Sequence, residues 1–366
     1  MSELKSSVEN QTPIFGKSQR PIVIAGPCSV ETEEQVVKTA IQLKAVNKSE
    51  IFRAGIWKPR TSPDSFEGIG EKGLPWLQTI KDITSFPIAV EVANSRHVEL
   101  CLKHDIDILW IGARSTANPF VVQEIAEALQ GVDIPIMIKN PINPDLGLWL
   151  GSVERIRKAG IHQIGAIHRG FSSLSEKFYR NRPLWQLAIE FRRLNPDIPL
   201  FCDPSHICGR REIIQEVSQK AMDLGYDGLM IECHVDPLNA WSDAEQQLTP
   251  DAFGKMISEM QLRFDYEDNQ RLQSELEKLR EVIDHLDEEI INLLSERMKI
   301  AREIGVYKRE NNVTIFQAKR WNEIIERSKK LAKQGGLNLD FILYYINGVH
   351  DESINQQESV MKKERD

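Results

Sequence analysis

Between Pro21 and Cys233 the chain alternates, about eight times, between a short run rich in Ile and Val and a longer stretch patterned as helix. The runs are Ile22–Ala25, Ile51–Arg53, Ile88–Val92, Ile108–Ile111, Ile134–Ile138, Gln163–Ile167, Leu200–Cys202 and Gly228–Ile231. Eight βα repeats over roughly 240 residues have the size and period of a (β/α)8 TIM barrel. An open doubly wound sheet is the alternative. No Gly-x-Gly-x-x-Gly follows the first run, which weakens a dinucleotide-binding reading.

The ends of the runs carry the chemistry. Gly26-Pro27-Cys28-Ser29 ends the first, and the second holds Arg53 and precedes Lys58-Pro59-Arg60-Thr61-Ser62. Glu91, Arg114, Lys139, His168-Arg169, Asp203 to His206, Glu232 and His234 end or follow the rest. Barrel active sites form at these C-terminal strand ends. Cys28, His206, Glu232 and Asp243 offer a thiolate, an imidazole and two carboxylates, a mixed set suited to manganese, iron, cobalt or zinc. Each has a plain structural explanation alone; their common place at the rim argues for a metal site. Arg53, Lys58, Arg60, Arg114, Lys139 and Arg169 bring six cations to the same rim of a chain whose net charge is -8. Like charges so placed call for anions, and arginine forks suit phosphate and carboxylate.

Beyond Met260 the pattern changes. Residues 1–20 are expected to be an extension, 21–262 the barrel, 263–271 a linker and 272–366 a separate all-α domain. Leu272, Leu276, Leu279, Ile283, Leu286, Ile290 and Leu293 recur in steps of four and three, a heptad stripe made to pack on other helices. Arg297 interrupts it, Gly335-Gly336 breaks a second helix, and Leu339 onward reads as a third. On an ideal helix Arg297 and Lys308 lie on one face, about 20° apart, and Arg280 points about 100° aside. A buried arginine needs a partner, and a bound anion supplies one.

Gly-Pro-Cys-Ser-Val-Glu (26–31), Lys-Pro-Arg-Thr-Ser (58–62), Gly-Ala-Arg (112–114), Asp-Pro-Ser-His (203–206) and Leu-Met-Ile-Glu-Cys-His with Ser-Asp (229–234, 242–243) resemble the 3-deoxy-D-arabino-heptulosonate 7-phosphate (DAHP) synthases, in their shorter type I branch. The resemblance covers about residues 20 to 262. It implies a metal-dependent condensation of phosphoenolpyruvate with erythrose 4-phosphate, the first step of the shikimate pathway. Cys28, His206, Glu232 and Asp243 would hold the divalent metal, manganese before iron, cobalt or zinc. Arg114, Lys139 and Arg169 would surround phosphoenolpyruvate, with Lys58 nearby as a catalytic group. Arg60, Thr61 and Ser62 would hold the erythrose 4-phosphate phosphate, and Arg53 would line the site. The family often shows Lys-Arg-Gly and Glu-Arg-Gly where this chain has Lys139-Asn140-Pro141 and His168-Arg169-Gly170.

Leu276 to Val360 resembles the all-helical AroQ class of chorismate mutases, through Leu279-Arg280, Leu286-Asp287, Ser295-Glu296-Arg297, Ile304 to Lys308, Arg320 and Ser353 to Gln357. The resemblance implies a homodimer in which one arginine crosses into the partner's site. Arg280, Arg297 and Arg320 would bind the two carboxylates of chorismate, supported by Ser353. Lys308 and Gln357 would face its ether oxygen as it rearranges to prephenate. Gln317 and Trp321 stand where the family commonly has Asp and Glu.

Two other readings compete. The helical domain would serve mainly as a dimerising sensor of chorismate or prephenate that restrains the barrel. Alternatively, the barrel would be the sister octulosonate 8-phosphate synthase, which typically shows Lys-Ala-Asn-Arg-Ser-Ser where this chain has Lys58 to Ser62. The acidic balance argues against nucleic acid, no run reaches the roughly 20 apolar residues of a membrane span, and the first 20 residues lack an apolar signal segment. A soluble cytoplasmic protein is the expectation. Cys28, Cys101, Cys202, Cys208 and Cys233 form no CxxC pair, so neither a disulfide framework nor a structural zinc site is expected.

Overall fold

Strands buried on both faces read as unbroken apolar runs, and all eight expected runs become such strands. The computed structural model describes residues 15, 21–59, 64, 66–173, 178–263 and 270–362. It separates into two compact units, Met1–Phe264 and Asp265–Asp366. In the first, β1 (Ile22–Gly26), β2 (Ile51–Ala54), β3 (Ile88–Val92), β4 (Ile108–Ile111), β5 (Ile136–Lys139), β6 (Ile164–His168), β7 (Leu200–Cys202) and β8 (Gly228–Glu232) run parallel. β1 pairs with β8, so the sheet closes into a barrel and is not an open doubly wound sheet.

Each strand is followed by a helix: α1 (Glu33–Val46), α2 (Leu74–Thr84), α3 (Ser95–Lys103), α4 (Pro119–Ala128), α5 (Leu146–Lys158), α6 (Trp185–Leu194), α7 (Ile214–Asp223) and α8 (Pro250–Glu259). Thr32, Asn94, Asp145 and Thr249 start α1, α3, α5 and α8, their side chains accepting a backbone N–H of the first turn. One large apolar layer fills the space between strands and helices.

A second, smaller cluster fills the barrel's interior: Ile22, Ile24, Ile51, Ala89, Ile108, Trp110, Met137, Ile167, Phe201 and Met230, with Phe15 against it. Side chains alternate along a strand. The next inward position after each inner residue is therefore two places on, at Gly26, Arg53, Glu91, Gly112, Lys139, Arg169, Asp203 and Glu232. Strand parity thus builds one layer of six charged side chains and two glycines directly above an apolar plug. His168 has the opposite parity. Although it ends β6, it turns away from the rim into the helix layer, edge-on to Trp185 at 5.3 Å.

The described residues of the second unit form α9 (Gln270–Glu310), α10 (Ala318–Gln334) and α11 (Leu339–Lys362). The C-terminal half of α9 packs on α11, where a Cβ on Gly305 would meet the Gln357 Cα at 3.1 Å. Its N-terminal half is different. Every residue from Glu281 to Leu293 is exposed.

Candidate functional sites

The charged layer is a lattice of buried pairs. Arg53 Nη2 lies 3.0 Å from Glu232 Oε1, and Lys139 Nζ lies 2.7 Å from Asp203 Oδ2. Asp203 also caps the single turn Pro204–Cys208 and meets the His206 Nδ1 at 2.8 Å, which aims that ring. Trp110 forms the floor. Its indole N–H donates to Glu91 Oε2 at 3.2 Å, and the Arg53 and Lys139 cations stand 5.2 and 5.9 Å from its ring. Arg53 keeps Nε and Nη1 buried without a hydrogen-bond partner, so part of this guanidinium still lacks an acceptor.

The four expected metal ligands meet as two pairs. Cys28 Sγ lies 3.1 Å from Asp243 Oδ2, and His206 Nε2 lies 3.7 Å from Glu232 Oε1. Lys58 Nζ donates to Cys28 Sγ at 2.8 Å. Burial, then the Glu232 carboxylate, push the Cys28 thiol up to about 12, while Lys58 works the other way. Despite its own burial, Glu232 is held well below the usual carboxylate range by His206, Arg53 and Lys58. Among the described residues, no three His, Cys, Asp or Glu side chains stand ready to ligate one ion as they lie. The donor chemistry fits a divalent cation all the same. It joins sulfur, nitrogen and carboxylate, and Glu232 Oε1 is buried with no directed hydrogen bond.

Above this layer opens a cavity of about 360 Å³, lined by Lys58, Arg114, Lys139, Arg169 and Arg180 among others, with Glu91 and Asp243 as its acids. Burial, reinforced by Arg180 and Arg114 and countered by Asp203, pulls the Arg169 guanidinium down to about 10. Arg169 is placed by its neighbours. Its Nη1 donates to Asn181 Oδ1 at 2.7 Å and its backbone N–H to Asn140 Oδ1 at 2.7 Å. Asn140 also donates to the Gly170 carbonyl, so this departure from the family pattern ties the fifth loop to the sixth. Arg60, Thr61 and Ser62 lie outside the described residues. Arg180, Asn181 and Gln246 are the site residues that the sequence pattern does not single out. Only their place in loops at the same rim marks them.

In the helical unit a cavity of about 400 Å³ brings together Arg297, Lys308, Arg320, Ser353 and Gln357. Arg297 Nη1 donates to Ser353 Oγ, and Lys308 Nζ donates to Gln357 Oε1 at 3.1 Å. Trp321 stacks on His350 at 4.0 Å as one wall, and among the described residues none that is acidic lines the space. Arg280 is not among its lining residues. It lies 17 residues before Arg297, about 25 Å along α9, on the exposed half of that helix.

Comparison with known proteins agrees with both units. Residues 5–265 match the DAHP synthetase I family, and residues 279–358 match chorismate mutase type II. The phospho-2-dehydro-3-deoxyheptonate aldolase of Thermotoga maritima is 33% identical over 238 residues, 65% of this chain and 68% of that one. A 2-dehydro-3-deoxyphosphooctonate aldolase of Helicobacter pylori is 30% identical over 273 residues, 67% of this chain and 95% of that one. The crystal structure of the Thermotoga maritima DAHP synthase superposes with a TM-score of 0.59 at 30% identity, covering 66% of this chain and 68% of that one. The chain therefore belongs to the DAHP synthetase I family, and it carries a chorismate mutase type II domain after its barrel.

Proposed function

We propose that the barrel condenses phosphoenolpyruvate with erythrose 4-phosphate, and that a divalent cation, manganese first, is held there by Cys28, His206, Glu232 and Asp243. The observation that carries this reading is the cationic cavity whose lining includes His206 and Asp243, one member of each ligand pair. A bound cation supplies Lewis-acid polarisation of the aldehyde oxygen. The chain's own groups do the rest. Lys139, Arg169 and Arg114 take the carboxylate and phosphate of phosphoenolpyruvate, offset its repulsion from the second phosphate, and align its double bond with the aldehyde carbon. Arg60, Thr61 and Ser62 take the phosphate of erythrose 4-phosphate. Arg53 stabilises the layer through Glu232. Lys58 has three donors and no acceptor, and it neutralises the aldehyde oxygen that gains charge and then a proton as the carbon–carbon bond forms; water adds to the resulting cationic C2 of phosphoenolpyruvate and inorganic phosphate leaves, giving the seven-carbon 2-keto acid. Stripping the protein with a chelator should abolish phosphoenolpyruvate consumption, and manganese should restore it. Full activity in the stripped protein would refute the metal assignment.

In the helical unit, Arg297 and Arg320, with Arg280 of the partner subunit, bind the two carboxylates of chorismate, and Ser353 holds Arg297 in place. Lys308 and Gln357 face the ether oxygen, stabilising charge separation as that bond breaks on the way to prephenate. The second reading, a sensor of chorismate or prephenate, draws on the Trp321–His350 stack, which stands in a pocket where no described residue offers a carboxylate to a substrate hydroxyl. Chorismate consumption by the full-length protein separates the two. Loss of chorismate that disappears in Arg297→Ala makes the domain an enzyme. Binding without turnover, with prephenate slowing the barrel, makes it a sensor.

A further inference from the structure

The loop after β6 supplies no expected metal ligand, yet one of its side chains is bonded to the ligand set from outside. Arg180 Nη1 donates to Asp243 Oδ1 at 2.8 Å and to Gln246 Oε1 at 2.5 Å. Gln246 is 1% exposed, and its Nε2 donates to Glu232 Oε2 at 2.6 Å. Only one orientation of that amide serves both neighbours, because a guanidinium offers only donors and a carboxylate only acceptors. We infer that Arg180 and Gln246 form a positioning clamp that sets the orientation of Asp243 and Glu232, and through them the affinity of the barrel for its divalent cation.

The clamp takes one oxygen of each carboxylate and turns the other inward. Asp243 Oδ2 faces Cys28 Sγ at 3.1 Å, and Glu232 Oε1 faces His206 at 3.7 Å. Both inward oxygens thus meet the other two expected ligands, although Asp243 and Glu232 come from different segments. Asp243 has its backbone in the left-handed region, φ 49°, a conformation that costs a non-glycine residue energy and needs outside support. Gly209 makes room for the clamp. A Cβ there would meet the Arg180 Cβ at 2.5 Å and its Cδ at 2.9 Å. The loops after β6, β7 and β8 therefore interlock at Arg180. Partners in the layer around a metal typically tune its affinity by about 10- to 100-fold.

This inference rests on the proposed metal site, and its test keeps the two apart. Manganese would be titrated into the metal-stripped full-length protein, with the unbound ion followed by electron paramagnetic resonance. Wild type, Gln246→Leu, Arg180→Lys and Cys28→Ala would be compared, with melting curves of the stripped proteins to verify folding. Gln246→Leu should bind manganese about 10- to 100-fold more weakly. Arg180→Lys should fall between, because the shorter ammonium keeps the positive charge but does not reach the point from which Nη1 serves both Asp243 and Gln246. At saturating manganese the KM for each substrate should stay near wild type in Gln246→Leu. Folded variants that bind manganese as tightly as wild type would overturn the clamp, as would a raised KM with unchanged metal affinity. If Cys28→Ala binds manganese as wild type does, the metal site itself is wrong and the clamp falls with it.

Discussion

His168 shows how much a single residue's parity decides. It ends β6 beside Arg169, yet it is fully buried among aromatic rings outside the barrel. Its Nε2 lies against the Pro183 carbonyl, which only accepts, so Nε2 carries the proton and Nδ1 accepts from the Tyr226 hydroxyl at 2.9 Å. Burial pulls its pKa from 6.5 to about 4. Between those values the unfolded chain binds a proton that the folded chain refuses, so stability falls as pH drops through this window. The loss from this group should reach about 2 kcal/mol by pH 5. Denaturant titrations at pH 7 and pH 5 should show that difference in wild type and a smaller one in His168→Gln; equal pH dependence in both would refute it. Alternation along β6 was legible in the sequence, but which phase faces the interior was not; the structure puts Ile167 in the inner set, so His168 faces out and Arg169 in. Arg180 and Gln246 were not legible, because loop residues follow no period and their partners are distant in sequence.

At the scale of elements, the strands were readable because apolar runs covered on both faces leave few other folds open to them. Their edges shifted for local reasons. The run at Ile134–Ile138 becomes a strand only from Ile136, since Pro135 has no N–H to give the ladder. Closure of the sheet was legible from the count and length of the repeats, eight βα units in about 240 residues, although periodicity alone is the same in an open and a closed sheet. The heptad stripe of α9 reads differently again. Leu279, Ile283, Leu286, Ile290 and Leu293 are each 47% to 65% exposed. An apolar stripe this long on one helix is the signature of an interface, and a second copy offers the self-complementary surface. The protein should therefore sediment at twice 41.9 kDa. Leu286→Glu combined with Ile290→Glu should shift it to the monomer and lower chorismate turnover, since the contribution proposed for Arg280 across the dimer would be lost. A dimer that survives both substitutions would contradict this use of α9.

For the whole molecule, the two units divide the chemistry by charge. Among the described residues the barrel cavity is lined by five cations and two carboxylates, which suits the two phosphorylated substrates proposed for it. Among the described residues the helical pocket is lined by Arg297, Lys308 and Arg320 and by no acid, which suits the dicarboxylate proposed for it. No helix among the described residues is long and apolar enough to cross a membrane. Relatives of the barrel include aldolases named for two different sugar phosphates, so the co-substrate is the sharpest point of the account. The decisive measurement is phosphoenolpyruvate consumption by the manganese-loaded full-length protein, with erythrose 4-phosphate compared against arabinose 5-phosphate. Turnover is expected with erythrose 4-phosphate and none above background with arabinose 5-phosphate. Equal or faster turnover with arabinose 5-phosphate would contradict that expectation.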